Sequence, residues 1–128
     1  MQAGARAVIV SNHGGRQLDA AVPTATVLPG IAHALQGSGA ETYVDGGIRS
    51  GLHVLAALAL GARAVLLGRP VLWALSTAGA DGVCRLLQTI TDELHHAMTL
   101  VGARDLDELT PDLVTPPISV ESWAAPSR

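Results

Sequence analysis

Three short strand-like runs, each closed by a glycine-bearing loop, constrain this chain more than any other feature. They lie at residues 6–10, 41–44 and 64–67. None alternates between apolar and polar, as a strand with one wet face would. Runs that are apolar throughout mark parallel strands covered on both sides. A segment with helical spacing follows each run. After the first, Thr24 or Thr26 stands ready to cap a helix in which Val27, Leu28, Ile31, Ala34 and Leu35 recur, and residues 36–39 stop it. The second helix is predicted over 52–60, closed by Gly61. The third begins at Pro70, a residue suited to a first helical turn. The order is therefore strand, loop, helix, three times, which is an α/β pattern. From about residue 80 a long amphipathic stripe runs from Val83 to Val101 and ends at Gly102. A short helix is expected over 106–114, interrupted at Pro111, and residues 115–128 read as a poorly ordered tail.

In this architecture chemistry sits in the loops at the C-terminal ends of the strands. The first loop reads Ser11-Asn12-His13-Gly14-Gly15-Arg16-Gln17-Leu18-Asp19. His13 has a side chain able to move a proton near neutral pH. Arg16, three residues on, carries a fork that can grip a carboxylate through two hydrogen bonds. A structural or solvated role for both is the competing reading, and their place after a buried strand favours the catalytic one.

The second and third loops share a different chemistry. Asp45-Gly46-Gly47-Ile48-Arg49 and Gly68-Arg69 follow consecutive strands. Glycines let backbone N–H groups approach an anion, helix N-termini add a favourable dipole, and arginines add charge. Together they suggest a phosphate site; tight turns with solvated arginines remain the alternative.

Other function classes are disfavoured. A net charge of −3 with no basic run argues against binding nucleic acid or an anionic membrane. The longest apolar stretch, 54–60, is too short to span a bilayer. The single cysteine, Cys84, cannot form an internal disulfide and fits a reducing cytosol. No histidine or cysteine cluster has metal-ligand spacing, and the adjacent His95 and His96 point in different directions from a helix.

The order and spacing of the three motifs resemble the FMN-dependent 2-hydroxy acid oxidases and dehydrogenases, the family of glycolate oxidase, lactate oxidase and mandelate dehydrogenase. IMP dehydrogenase-like barrels share the Asp-Gly-Gly-Ile loop but not the His-Gly-Gly-Arg loop. The resemblance covers residues 3–114. It implies the C-terminal portion of a (β/α)8 TIM barrel, strands 6 to 8 with their helices. It implies FMN as cofactor and a small 2-hydroxy acid as substrate, oxidised to the 2-keto acid. His13 would be the catalytic base and Arg16 the ligand of the substrate carboxylate. Ser11 would contact the flavin. Asp45, Gly46, Gly47, Ile48 and Arg49 would hold the ribityl and phosphate part, and Gly68 and Arg69 would complete the phosphate site. No metal is implied.

The chain also departs from that pattern. Ser50 stands where many members carry a second arginine, and residues 20–23 differ locally. A full barrel needs ~250 residues, against 128 here. The family's flavin-facing lysine has no counterpart, because the chain contains no lysine. The expectation is a C-terminal fragment, inactive alone, with a non-catalytic FMN- or phosphate-binding remnant or one half of a split barrel as the alternative. Cytoplasmic location is the default expectation, since no targeting segment is recognised and Pro126-Ser127-Arg128 is not a peroxisomal signal.

Three parallel strands leave two open edges, and an inner face without partner strands exposes apolar surface. Val8, Val10, Val44, Val65 and Leu67 belong to these strands. The isolated chain is therefore expected to self-associate or to require a missing N-terminal half-barrel. Its thermal transition should depend on protein concentration; a sharp, concentration-independent transition in a monomer would contradict this.

Overall fold

The computed structural model describes residues 4–115. Strand β1 (Ala7–Val10) is followed by helix α1 (Thr24–Leu35), β2 (Glu41–Val44), α2 (Gly51–Ala59), β3 (Ala64–Val65) and α3 (Arg69–Val101), with single 3-10 turns at His13–Gly15, Leu106–Glu108 and Pro111–Leu113. The three strands form one parallel sheet in sequence order. Val10 pairs with Val44, and Val44 with Val65. All three strands therefore end level, and their loops leave the same edge of the sheet.

The elements depart from expectation in three places. Strand β3 stops at Val65, although the Leu66 amide still donates to the Val44 carbonyl at 2.9 Å. Thr24 does not cap α1: Pro23 occupies that position and makes no side-chain cap. Helix α3 is two helices run together across a break at Ala78 (φ −149°) and Gly79 (φ 60°), which matches the change of pattern near residue 80. The helix expected over 106–114 is instead two isolated 3-10 turns, because Pro111 supplies no N–H to continue a helical ladder. The predicted tail lies outside the described residues, apart from Thr115.

The core lies between the sheet and the helices. Val10 and Val44 pack with Leu28 of α1, Val54, Ala57 and Leu60 around α2, and Ile90 of α3. A second cluster joins Leu55 and Ala59 to Ala97, Met98 and Leu109. Covering both faces of the strands is not what the structure shows. The helices cover the face that carries Val10 and Val44, while on the opposite face Ile9 is 53% and Leu66 40% exposed. Of the five apolar residues expected to suffer from a bare sheet, none is exposed: Val10 and Val44 are buried and Val8, Val65 and Leu67 half-buried. The bare apolar surface belongs to their alternate neighbours, because successive strand side chains point to opposite faces. Tyr43 also stands in this alternate set, and its hydroxyl bonds to the Glu41 carboxylate. That bond, and then the carboxylate's charge, hold the phenol above its ordinary pKa. Among the described residues no helix is long and apolar enough to cross a membrane.

Helices α2 and α3 meet at unusually close range at Gly51. A Cβ there would stand 2.1 Å from the Leu94 amide nitrogen and 2.6 Å from the Ile90 carbonyl oxygen. Gly30, within α1, has nothing inside 4 Å of its Cβ position. Gly51→Ala should therefore destabilise the chain by about 1–3 kcal/mol through overpacking. Gly30→Ala should stabilise it by about 0.5–1 kcal/mol through helix propensity. Denaturant unfolding of the two variants checks both signs.

Candidate active site

The loop after β1 is a compact turn that satisfies its own backbone. The Gly14 amide donates to the Asn12 side-chain oxygen at 3.0 Å and the His13 amide to the Ser11 hydroxyl at 3.1 Å. The Gly15 amide reaches the Asn12 carbonyl at 3.0 Å. Three successive residues take positive φ: His13 (55°), Gly14 (64°) and Gly15 (76°). Among the described residues His13 is the one non-glycine to do so. This conformation is rare for a residue with a Cβ, though histidine adopts it more readily than most. The loop thus holds His13 in a strained shape, and both His13 and Arg16 project exposed side chains.

The loop after β2 is fastened at several points. Thr24, buried at the start of α1, donates its hydroxyl to the Asp45 carbonyl at 2.6 Å. The Asp45 amide donates to the Val10 carbonyl at 3.1 Å. Gly46 (φ 85°) combines a left-handed backbone with tight surroundings. A Cβ there would lie 3.1 Å from the Asn12 side-chain oxygen and 3.2 Å from the Thr24 hydroxyl. Further along, the Arg49 amide donates to Nδ1 of His53 at 3.1 Å. Ser50 caps α2, its hydroxyl accepting from the His53 amide at 3.4 Å. The serine that departs from the family pattern thus occupies a position where serine is favoured. The Arg49 side chain donates to the Ile48 carbonyl at 2.8 Å and lies over the Trp73 ring, 5.2 Å from its centre.

These loops enclose a cavity of about 210 Å³. It gathers His13, Arg16, Asp45, Gly46, Gly47, Ile48, Arg49, Gly68 and Arg69, with Leu66 and Leu72 as apolar lining. Every residue expected at the site lines it except Ser11, whose hydroxyl is engaged with the His13 amide. A larger cavity of about 450 Å³ lies beside it, between α1 and α2, with mainly apolar walls. The smaller one holds the convergent charged and polar groups, which is the character of a reaction site.

One polar atom among the residues lining the smaller cavity is left without a partner. Asp45 Oδ1 is buried and, among the described residues, is the one buried side-chain nitrogen or oxygen without a hydrogen-bond partner. A buried acceptor left unpaired is costly, so it calls for a donor such as a hydroxyl. Gly47 and Gly68 have open space where a side chain would be, so a ligand can approach their backbone. Arg69 reaches across the cavity toward the Gly14 carbonyl, at 3.5 Å. The arrangement offers an acceptor for hydroxyls, two guanidinium groups for an anion, and a histidine–arginine pair on one side.

Asn12, Thr24 and Glu93 hold this geometry and were not among the residues expected at the site. Asn12 stood in the sequence motif, but its function is to shape the turn and to donate to the Val22 carbonyl at 3.3 Å. Thr24 looked like a helix cap. Glu93 lies on α3 and accepts from the Gly51 amide at 2.8 Å, a contact that no local sequence signal announces.

Comparison with known proteins identifies the family. The sequence model of the FMN-dependent dehydrogenases matches residues 1–116. The chain is 47% identical to 2-hydroxyacid oxidase 2 of Rattus norvegicus over 114 residues, covering 89% of this chain and 32% of that protein. It is 56% identical to 4-hydroxymandelate oxidase of Amycolatopsis orientalis over 106 residues, covering 83% of this chain and 29% of that protein. Mandelate oxidase solved with 3,3-difluoro-2-hydroxy-3-phenylpropionic acid superposes with a TM-score of 0.82 at 54% identity, covering 86% of this chain and 33% of that one. The chain thus spans about a third of the length of the relatives it matches. With the histidine–arginine turn and the two glycine–arginine loops gathered around one cavity, and the family match running through all three, this chain belongs to the FMN-dependent dehydrogenase family.

Proposed function

We propose that this chain carries the proton-transfer and phosphate-binding side of an FMN-dependent site that oxidises a small 2-hydroxy acid to the 2-keto acid. The observation that carries the reading is the shared cavity: His13 and Arg16 line it together with Asp45, Arg49 and Arg69. The three strands are the consecutive last strands of a (β/α)8 barrel, with residues 1–114 as its C-terminal portion. Supporting this are the parallel order of the sheet, its level C-terminal edge and the partial coverage of relatives.

The residues present fit FMN. The unpaired Asp45 oxygen would accept from a ribityl hydroxyl. Arg49 and Arg69 would pair with the phosphate, with Gly47 and Gly68 leaving the backbone accessible. Ile48 supplies apolar lining, and Ser11 stands at the exit of β1, where its hydroxyl hydrogen is free to meet the flavin. Bound FMN would supply the acceptor for the two electrons that the acid gives up. Arg16 holds the substrate carboxylate, and His13 takes a proton from the substrate; the strained turn fixes both against one another.

Flavin fluorescence during FMN titration into the purified chain tests the phosphate site. The Arg49→Ala, Arg69→Ala double variant should weaken binding at least about tenfold, since each guanidinium–phosphate bond is charge-assisted. Unchanged affinity would overturn the assignment. Activity is measured anaerobically with lactate, glycolate and mandelate after adding the complementary N-terminal part of a relative as a second chain. There His13→Asn should slow flavin bleaching by about 10²–10⁴-fold while leaving FMN affinity intact. A rate untouched by His13→Asn would leave only a binding function.

A further inference from the structure

We infer that Glu93, on α3 and 42 positions from its partner in sequence, is a positioning residue for the glycine–arginine loop after β2. The inference rests on the reading that this loop holds the phosphate end of FMN. It begins from a donor that needs an acceptor. Gly51 is the first residue of α2, so its amide has no carbonyl within the helix to bond to. Gly51 is also buried. The neighbouring caps are already engaged: the Ser50 hydroxyl takes the His53 amide, and His53 Nδ1 takes the Arg49 amide. Glu93 Oε2 takes the Gly51 amide at 2.8 Å.

Glu93 is exposed, yet its contact differs from that of an ordinary surface carboxylate. Among the described residues it forms no ion pair, and its hydrogen bond is to a backbone amide on another helix. A carboxylate at a helix N-terminus gains from both the hydrogen bond and the dipole. The missing side chain at Gly51 brings α2 down onto the α3 backbone beside Leu94, which places that amide within reach.

The consequence for the site is geometric. Arg49 lies two residues before Gly51 and rests on Trp73, at the opposite end of α3 from Glu93. The loop therefore touches both parts of α3, the part after the break at Ala78 and Gly79 through Glu93 and the part before it through Trp73. Helix α3 also begins with Arg69, the second proposed phosphate ligand. Glu93 thereby sets the start of α2, and with it the position of Arg49 two residues upstream.

The test compares Glu93→Ala, which removes the acceptor, with Glu93→Gln, which keeps a carbonyl oxygen for the same bond. Amide hydrogen exchange over residues 46–53 and FMN affinity by fluorescence are both read. In Glu93→Ala, exchange in that segment should rise about tenfold with the β1 and β2 amides unchanged, and FMN affinity should fall by about the same factor. Glu93→Gln should restore most of both. Unchanged exchange at 46–53 in Glu93→Ala would overturn the inference, as would a uniform loss of protection across the chain, which marks a general structural role. If the parent chain binds no FMN, the proposed phosphate site fails, and the exchange data still decide whether Glu93 holds the loop.

Discussion

The pairing of Val10 with Val44, buried beneath α1 and α2, is the contact on which the site depends. It brings two strands to an end at the same height and turns both following loops to one edge of the sheet. The Asp45 amide extends the pairing by one bond to the Val10 carbonyl. Without that level edge, the histidine turn and the glycine–arginine loop would share no cavity. Burying two valines in the helix-covered face makes a one-residue slip costly, because it would move them to the exposed face.

Above that edge the chain satisfies its backbone locally and leaves selected side chains available. In the first loop Ser11, Asn12 and the His13 carbonyl absorb the amides of residues 13 to 16. In the second, Thr24, Ser50, His53 and Glu93 do the equivalent work. What remains is a short set of groups around a common space: an imidazole and guanidinium groups, with one unpaired, buried carboxylate oxygen on the lining residue Asp45. Local satisfaction of the backbone is what allows an exposed loop to hold such groups in place. The positive φ of His13 is tolerated because the bonds around it outnumber the single unfavourable torsion.

The sheet itself is finished on one side only. The helices bury the face of Val10 and Val44, while Ile9 and Leu66 are left on the other. Leu66 also lines the small cavity, so the bare face and the site are continuous. The three strands therefore carry the histidine–arginine turn and the glycine–arginine loops at one edge of a sheet whose second face is bare. This agrees with a chain that spans about a third of its relatives.

The sequence by itself determined the order of elements, the parallel character of the strands and which loop residues gather at one cavity. Short strand-like runs, glycine stops and the histidine–arginine spacing are local signals, written within a few residues of where they act. Even the break in α3 was legible, since Gly79 lies where the apolar stripe restarts. Local signals failed where a side chain had two possible partners. Thr24 could cap a helix or hold a distant carbonyl, and only the approach of α1 to β2 chose the second. Which strand face stays bare was likewise undecided, because apolar runs look alike on both sides until the helices pack. Glu93 and Gly51 lie far apart in sequence, and their bond exists because a missing side chain lets two helices touch. Tertiary structure alone decided these things, since each depends on a distance between segments that no local pattern encodes.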